Sequence, residues 1–264
     1  MNVSRYEHAV HSIYEAAHIL CDASDSIIEF QTKSSHQDIV SYFDKKIEAF
    51  LSEQILKQFP EDGIVGEELD HAHIGQWVWY IDPIDGTSNF MNQQKNYAIS
   101  IGCCHNGVPV FGLVLDVAAG RLYHAQKGGG AYCNGERLSN GRLHKNISEM
   151  FLYTPILQSV FLSEHPNRDN MMRLANDVRA VRSLGSVALE LCALATHEAD
   201  LFVTARSSPW DHNAARLILS EAGGAMCTWE GESVPMDQTC AIIGATCPAL
   251  LSEVMSNYFY IKEA

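Results

Sequence analysis

The stretch Trp77-Val78-Trp79-Tyr80-Ile81-Asp82-Pro83-Ile84-Asp85-Gly86-Thr87 runs five apolar residues straight into two aspartates and a turn. The apolar part reads as a strand that has to be buried. It carries Asp82 to a place where an uncompensated carboxylate is costly. A hard divalent cation removes that cost, and magnesium prefers carboxylate and carbonyl oxygen. The spacing suits such a use. Asp82 ends the strand, and Pro83 fixes a turn without an amide hydrogen to place. Asp82 and Asp85 then converge, with the Ile84 carbonyl facing the same cation. Gly86 allows close backbone approach, and Thr87 opens a short helix whose free amides suit phosphate. The competing reading is an Asp-Pro turn with a helix cap. Two further acidic segments, Gly66-Glu67-Glu68 and Trp210-Asp211, weigh against it.

Upstream, Val10, Ile13, Tyr14, Ala17 and Leu20 recur at helical spacing within residues 4–30. Phe43, Ile47, Phe50, Leu51 and Ile55 mark a second helix over 41–59, stopped by Pro60 and Gly63. Downstream, 97–104, 108–117 and 121–126 read as a strand meander with turns at Asn106-Gly107, Ala119-Gly120 and Gly128-Gly129-Gly130. Asn134-Gly135 offers another turn. Beyond residue 148 the pattern alternates. Strands are expected at 151–154 and 200–204, and helices at 167–178, after Gly185-Ser186 through 196, at 211–222 and at 248–258. The class is α+β, with helices layered on sheets. An N-terminal half, 1–148, holds the meander and most of the acidic residues. A C-terminal half, 149–264, supplies Asp211 and the substrate pocket, and the two make one compact unit.

The chain has 264 residues, 47% of them hydrophobic, which suffices for a sizeable core. Its net charge of -14 argues against a nucleic-acid partner, since phosphate contacts need clustered Lys and Arg. An acidic protein that takes an anionic substrate needs a cation between the two. No run approaches the roughly 20 apolar residues of a membrane helix. Arg5, Glu7, Glu15, Asp22, Asp25 and Glu29 leave no signal-peptide core, so a cytoplasmic protein is expected. The eight cysteines form no C-x-x-C pair and read as reduced, buried thiols. The twelve histidines, including His8, His11, His18, His71 and His73, lack an H-E-x-x-H spacing and read as surface or core residues.

Taken in order and spacing, these segments resemble the inositol monophosphatase family. The resemblance rests on Gly66-Glu67-Glu68, on Asp82 to Phe90 (DPIDGTSNF), and on Trp210-Asp211 with Ala214-Ala215 and Glu221-Ala222-Gly223-Gly224. Lys33 to Asp44 resembles the family's K…D-x-V-T-x-x-D box, with Ser41 in place of Thr, and Gly128 to Leu138 resembles its G-x-G-A-[FY]-x-N-G hairpin. The resemblance implies an α-β-α-β-α layered fold shared with fructose bisphosphatases, magnesium dependence with about two or three ions, lithium inhibition and a homodimer. It implies that Glu67, Asp82 and the Ile84 carbonyl hold one metal, and that Asp82, Asp85 and Asp211 hold a second. Asp44, Glu67 and Thr87 form its catalytic set, with Thr87 and Asp44 orienting the attacking water. The Gly86 and Thr87 amides bind phosphate beside Ile84, Asp85 and Asp211, and Gly185, Ser186 and Val187 line the alcohol side. Glu68 is read as supporting the metal ligands, and Asp38 as a helix-start residue.

The implied reaction is hydrolysis of a small phosphomonoester, with inositol 1-phosphate as the best single substrate. Fructose 1,6-bisphosphate, NADP 2′-phosphate, adenosine 3′,5′-bisphosphate and histidinol phosphate are its rivals. A regulatory protein-binding role within the same family is the non-enzymatic alternative. One departure bears on substrate. Inositol phosphatases carry a Glu seven residues before the second-metal Asp, and here Thr204 stands seven before Asp211. Thr204-Ala205-Arg206-Ser207-Ser208-Pro209-Trp210-Asp211 resembles a bacterial branch with T-x-R-x-x-P-W-D. Arg206 either meets a second phosphate or carboxylate on the substrate or pairs with local acid such as Asp200. His212, next to Asp211 on a helix, is expected to point elsewhere.

Overall fold

The computed structural model describes residues 4–23, 30–32, 39–69, 75–138, 146–155 and 168–259. Lys33 to Asp38, with the helix-start reading of Asp38, lie outside these residues, as do His71 and His73.

In chain order the elements are α1 (Arg5–Ala23), β1 (Phe30–Thr32), β2 (Ile39–Ser41), α2 (Tyr42–Gln58), β3 (Gly63–Gly66), β4 (Trp77–Asp85) and α3 (Thr87–Gln93). The meander follows as β5 (Ala98–His105), β6 (Val108–Asp116), β7 (Arg121–Gln126), β8 (Gly130–Cys133) and β9 (Glu136–Arg137). Then come β10 (Phe151–Tyr153), α4 (Arg168–Asp177), β11 (Ala180–Arg182), α5 (Val187–Ala195), β12 (Leu201–Ser207), α6 (Pro209–Glu221), β13 (Ala225–Thr228), β14 (Cys240–Ala245) and α7 (Pro248–Val254).

β3 to β9 form a seven-stranded sheet in sequence order, antiparallel except for the β3–β4 pair. Its hairpins use the expected turns. Asn106-Gly107 and Asn134-Gly135 both have positive φ at both residues, the primed turn that matches strand twist. The second sheet has the order β11-β10-β12-β14-β13, parallel among its first three strands and antiparallel after that. Three buried clusters make the layering. Ile13, Leu20, Ile47 and Leu51 of α1 and α2 pack on Trp79, Ile81, Ile101 and Leu113 of the large sheet. On that sheet's other face, Ala98, Val114 and Ala125 meet α5 and α6, which also cover Phe202 and Ile242 of the second sheet. Met171 and Leu174 of α4 and Leu250 and Val254 of α7 close the outer face. The result is the α-β-α-β-α sandwich.

The last helix is shorter than the spacing predicts: α7 ends at Val254 and continues as a π-helical turn over Met255–Phe259. No helix among the described residues is long and apolar enough to cross a membrane.

One contact fixes the middle layer. Gly102 and Gly112 face each other across β5 and β6. A Cβ on Gly102 would stand 3.0 Å from the Ala214 amide nitrogen, and one on Gly112 would strike the Ala214 carbonyl. The missing side chains let the backbone of α6 lie directly on the sheet. At the far end of α6, the Glu221 carboxylate accepts from the Gly128 and Gly130 amides at 2.7 and 2.9 Å. The helix is therefore pinned along its length, and its N-terminus carries Asp211 to the site.

Candidate active site

β4 does not end at Asp82. The strand continues through Asp85, and its register against β5 shifts between Asp82, opposite Ser100, and Asp85, opposite Ala98. The expected turn at Pro83 is replaced by a bulge, where a residue without an amide hydrogen costs the ladder nothing. Asp82 Oδ1 accepts from the Ile84 amide at 3.1 Å. The chain leaves the strand at Gly86, with φ of 94°, and Thr87 begins α3. A Cβ on Gly86 would lie 3.0 Å from the Asn96 carbonyl oxygen, so this corner requires glycine. The Thr87 hydroxyl lies 3.0 Å from both Asp44 Oδ1 and the Ile84 carbonyl and donates between them.

Asp211 is the third residue of α6. Ser208 caps that helix, Pro209 follows it, and the Asp211 carboxylate accepts from the Ser208 amide at 2.7 Å. Asp85 turns toward α5. Its Oδ2 accepts from Ser186 Oγ at 2.7 Å and the Ala188 amide at 2.6 Å, and its Oδ1 from the Val187 amide at 3.2 Å. Asp85 thus serves the N-terminus of α5 while its charge also bears on Asp82 and Asp211. Glu67 is half-buried on the loop after β3 and acts electrostatically on Asp82.

These acids raise one another. Burial, then the negative charges of Glu67, Asp85, Asp211 and Asp44, push the Asp82 carboxyl well above its ordinary value. Burial lifts Asp85 to about 6 against the Ser186, Ala188 and Val187 hydrogen bonds. Burial and Asp85 lift Asp211 to about 7 against the Ser208 amide and Arg206. Among the described residues no three His, Cys, Asp or Glu side chains are drawn together closely enough to hold a metal ion as they stand. The donor set nevertheless fits a magnesium ion. It is all oxygen, Asp82 and Asp85 are buried, and the strongest charges bearing on Asp82 are all negative.

With this geometry in view, the comparisons decide the family. The model of the inositol monophosphatase family matches residues 1–257. The Bacillus subtilis protein named inositol-1-monophosphatase is 35% identical over 256 residues, covering 95% of each chain. The chain belongs to the inositol monophosphatase family. A Thermotoga maritima relative named fructose-1,6-bisphosphatase/inositol-1-monophosphatase is 29% identical over 233 residues, 87% of each chain. The crystal structure of inositol monophosphatase-II from Staphylococcus aureus superposes with a TM-score of 0.84 at 32% identity, covering 96% of this chain and 92% of that one. Members of the family are magnesium-dependent phosphomonoester hydrolases, and this chain is an enzyme of that type.

Within the family frame, three site residues escape the sequence reading. Glu48 on α2 is fully buried, and its carboxylate accepts from the Glu68 and Leu69 amides at 2.7 and 2.9 Å. It holds the loop that carries Glu67, and burial lifts its carboxyl to about 6. Glu190 on α5 accepts from the Leu184 and Gly185 amides and from Ser183 Oγ, and burial lifts it to about 7. Asn89 on α3 donates to the Leu184 and Asn96 carbonyls at 2.7 and 2.8 Å. Glu190 and Asn89 thus hold the loop leading to Gly185, Ser186 and Val187 from two sides. Gly185 has φ of 77°, and Ser186 caps α5 by accepting from the Leu189 amide.

Thr204 is buried, and its hydroxyl is committed to the backbone of Arg206. Arg206 is exposed and makes no ion pair with Asp200, whose carboxylate accepts from the Phe151 amide at 2.8 Å. His212 is fully buried between Ser207 Oγ and the Pro235 carbonyl, and burial lowers it to about 4, so it stays neutral.

Proposed function

We propose that this chain hydrolyses a small phosphomonoester to its alcohol and inorganic phosphate, with inositol 1-phosphate as the reference substrate. The observation that carries the proposal is the set of buried Asp82 and Asp85 with half-buried Asp211, in which the strongest electrostatic neighbours of Asp82 are all carboxylates. Carboxylates that raise one another in this way, opposed at Asp211 by the exposed Arg206, suit added cations. Glu67, Asp82 and the Ile84 carbonyl would hold one magnesium, and Asp82, Asp85 and Asp211 another. When bound, magnesium supplies Lewis acidity and a bound water of lowered pKa. The chain's own groups do the positioning. Thr87 donates to Asp44, which leaves its lone pairs to accept from the attacking water. The Gly86 and Thr87 amides, at a helix start, face the phosphate, and Gly185, Ser186 and Val187 meet the alcohol. No nucleophilic side chain is required.

The names of the Bacillus subtilis and Thermotoga maritima relatives support inositol phosphate as a substrate, and the second adds fructose 1,6-bisphosphate. Lithium inhibition and a homodimer belong to the same reading. Phosphate release from inositol 1-phosphate, fructose 1,6-bisphosphate, NADP and adenosine 3′,5′-bisphosphate, with and without magnesium, tests it. Magnesium-dependent release is expected, and its absence with every substrate overturns the proposal.

A further inference from the structure

The connection between β13 and β14 lies along the first turns of α6, and three side chains stitch it there. Arg216 Nη1 donates to the Val234 carbonyl at 2.8 Å, His212 Nε2 to the Pro235 carbonyl at 3.3 Å, and Asn213 Nδ2 to the Met236 carbonyl at 3.0 Å. Three consecutive carbonyls of an irregular segment thus find their donors on one helix. A carbonyl only accepts, so the ring proton of His212 sits on Nε2, and Nδ1 accepts from Ser207 Oγ at 3.0 Å. Arg216 Nη1 also meets Met236 Sδ at 3.0 Å, and its guanidinium makes no ion pair among the described residues. At the end of the same connection, Thr239 Oγ1 donates at 3.3 Å to Oγ of Ser208, the residue that caps α6. The connection and the large sheet grip the helix from different sides. His212 and Arg216 each stand two residues from Ala214, about 200° around the helix axis. Ala214 is where the backbone of α6 lies on Gly102 and Gly112. The start of α6 is held between the two, and its third residue is Asp211. His212 and Asn213 are buried, and polar side chains in such a place are costly unless they hold something.

We infer that His212, Asn213 and Arg216 clamp the start of α6 onto the segment Val234–Met236 and so fix where Asp211 stands. They are positioning residues for the magnesium that Asp82, Asp85 and Asp211 would hold. None of them touches ion or substrate, and they act through the backbone of α6. A ligand fixed in place beforehand binds its ion more tightly than one the ion has to order. This rests on the phosphatase reading above and deepens it.

The test titrates magnesium into the whole chain by calorimetry, without substrate, and measures turnover of inositol 1-phosphate at saturating magnesium on the same preparations. Arg216→Met and Asn213→Ala are each expected to raise the magnesium Kd roughly three- to tenfold, with kcat within about twofold of the parent's. Arg216 is only half-buried, so Arg216→Met alone decides the matter where Asn213→Ala does not fold. Arg216→Lys keeps a donor for the Val234 carbonyl and is expected to stay within about twofold of the parent Kd. Glu221→Gln is the control. It loosens the far end of the same helix, at Gly128 and Gly130, and is expected to leave the Kd unchanged. A parent-like Kd in the clamp variants overturns the inference while leaving the phosphatase reading intact. A Kd that rises as far in Glu221→Gln overturns it too, since any loosening of α6 would then suffice. A parent that binds no magnesium and releases no phosphate overturns the reading of the site, and this inference with it.

Discussion

Asp62 and Asp82 are equally deep, and the protein treats them in opposite ways. Asp62, just ahead of β3, receives Arg5 through two hydrogen bonds of 2.7 Å and the Trp79 indole at 2.9 Å. Arg5 in turn lies over the Phe59 and Trp77 rings, 4.5 and 4.2 Å from their centroids. Its partner is supplied by the fold. Asp82 sits further along the same strand from Trp77, and its strongest charged neighbours are Glu67, Asp85, Asp211 and Asp44. Its partner has to come from solution. A buried acid with its own cation holds structure, and a buried acid among acids holds a place for chemistry.

Neutralising one member of each region separates the two. Asp85→Asn is expected to cut turnover at least about 1,000-fold, equivalent to roughly 4 kcal/mol of transition-state stabilisation. The metal-free fold should survive, because relief of repulsion among the acids offsets the weakened contacts to α5. Circular dichroism and a phosphate-release assay on one preparation check both halves, and near-normal magnesium-dependent turnover would sink the assignment. Asp62→Asn is expected to do the reverse. It strands a partly buried Arg5, so stability falls by about 3 kcal/mol, while turnover per folded molecule stays close to the parent's. Denaturant melts against active-site titration decide it.

The comparison also has a pH signature. A carboxyl whose folded pKa is raised contributes stability that is fully present below its unfolded value, near 4, and lost as pH rises through the folded one. Asp85 at about 6 and Asp211 at about 7 place that window between about pH 4 and 7. The metal-free protein should therefore melt several degrees higher at pH 5.5 than at pH 8. Magnesium, which needs the deprotonated acids, should raise the melting temperature more at pH 8 than at pH 5.5. An equal magnesium effect at both values would remove these carboxylates from the metal site.

Much of this site was legible because it is local. Asp82 to Thr87 carries its own strand, corner and helix start, and α6 opens on its own Ser208-Pro209 cap, so short-range rules suffice. What was missed depends on distant partners. Pro83 read as a turn, since nothing local shows that β5 would accept a bulge between Ser100 and Ala98. The hold of Thr204 on the Arg206 backbone went unread, since the register slip against β14 is invisible in the β12 segment alone. Glu48 and Glu190 left weak signals. Asp44 and Glu48 stand four apart beside the buried Ile47 and Leu51, and Glu190 is the one charged residue in Val187–Ala195. A lone acid on an apolar helix face marks a loop to be held, but its sequence does not say which loop.

Glu48 is the intermediate case between Asp62 and Asp82, satisfied by neutral amides rather than by a cation. That makes it the finest test of the contrast. Glu48→Gln keeps one acceptor and turns the other into a donor facing an amide hydrogen, so one of the two loop contacts is lost. The net cost is about 1 kcal/mol, reduced by the removal of a charge whose carboxyl burial already raises to about 6. The loop from Gly66 to Leu69 is tight against Glu48, since a Cβ on Gly66 would run into its carboxylate. A small displacement there reaches Glu67 and weakens magnesium binding. The expected result is a magnesium half-saturation raised roughly three- to tenfold, with kcat at saturating magnesium within about twofold of the parent. If kcat falls and the magnesium requirement does not move, Glu48 acts on the chemistry itself, and the division between acids that hold structure and acids that hold metal fails at this residue.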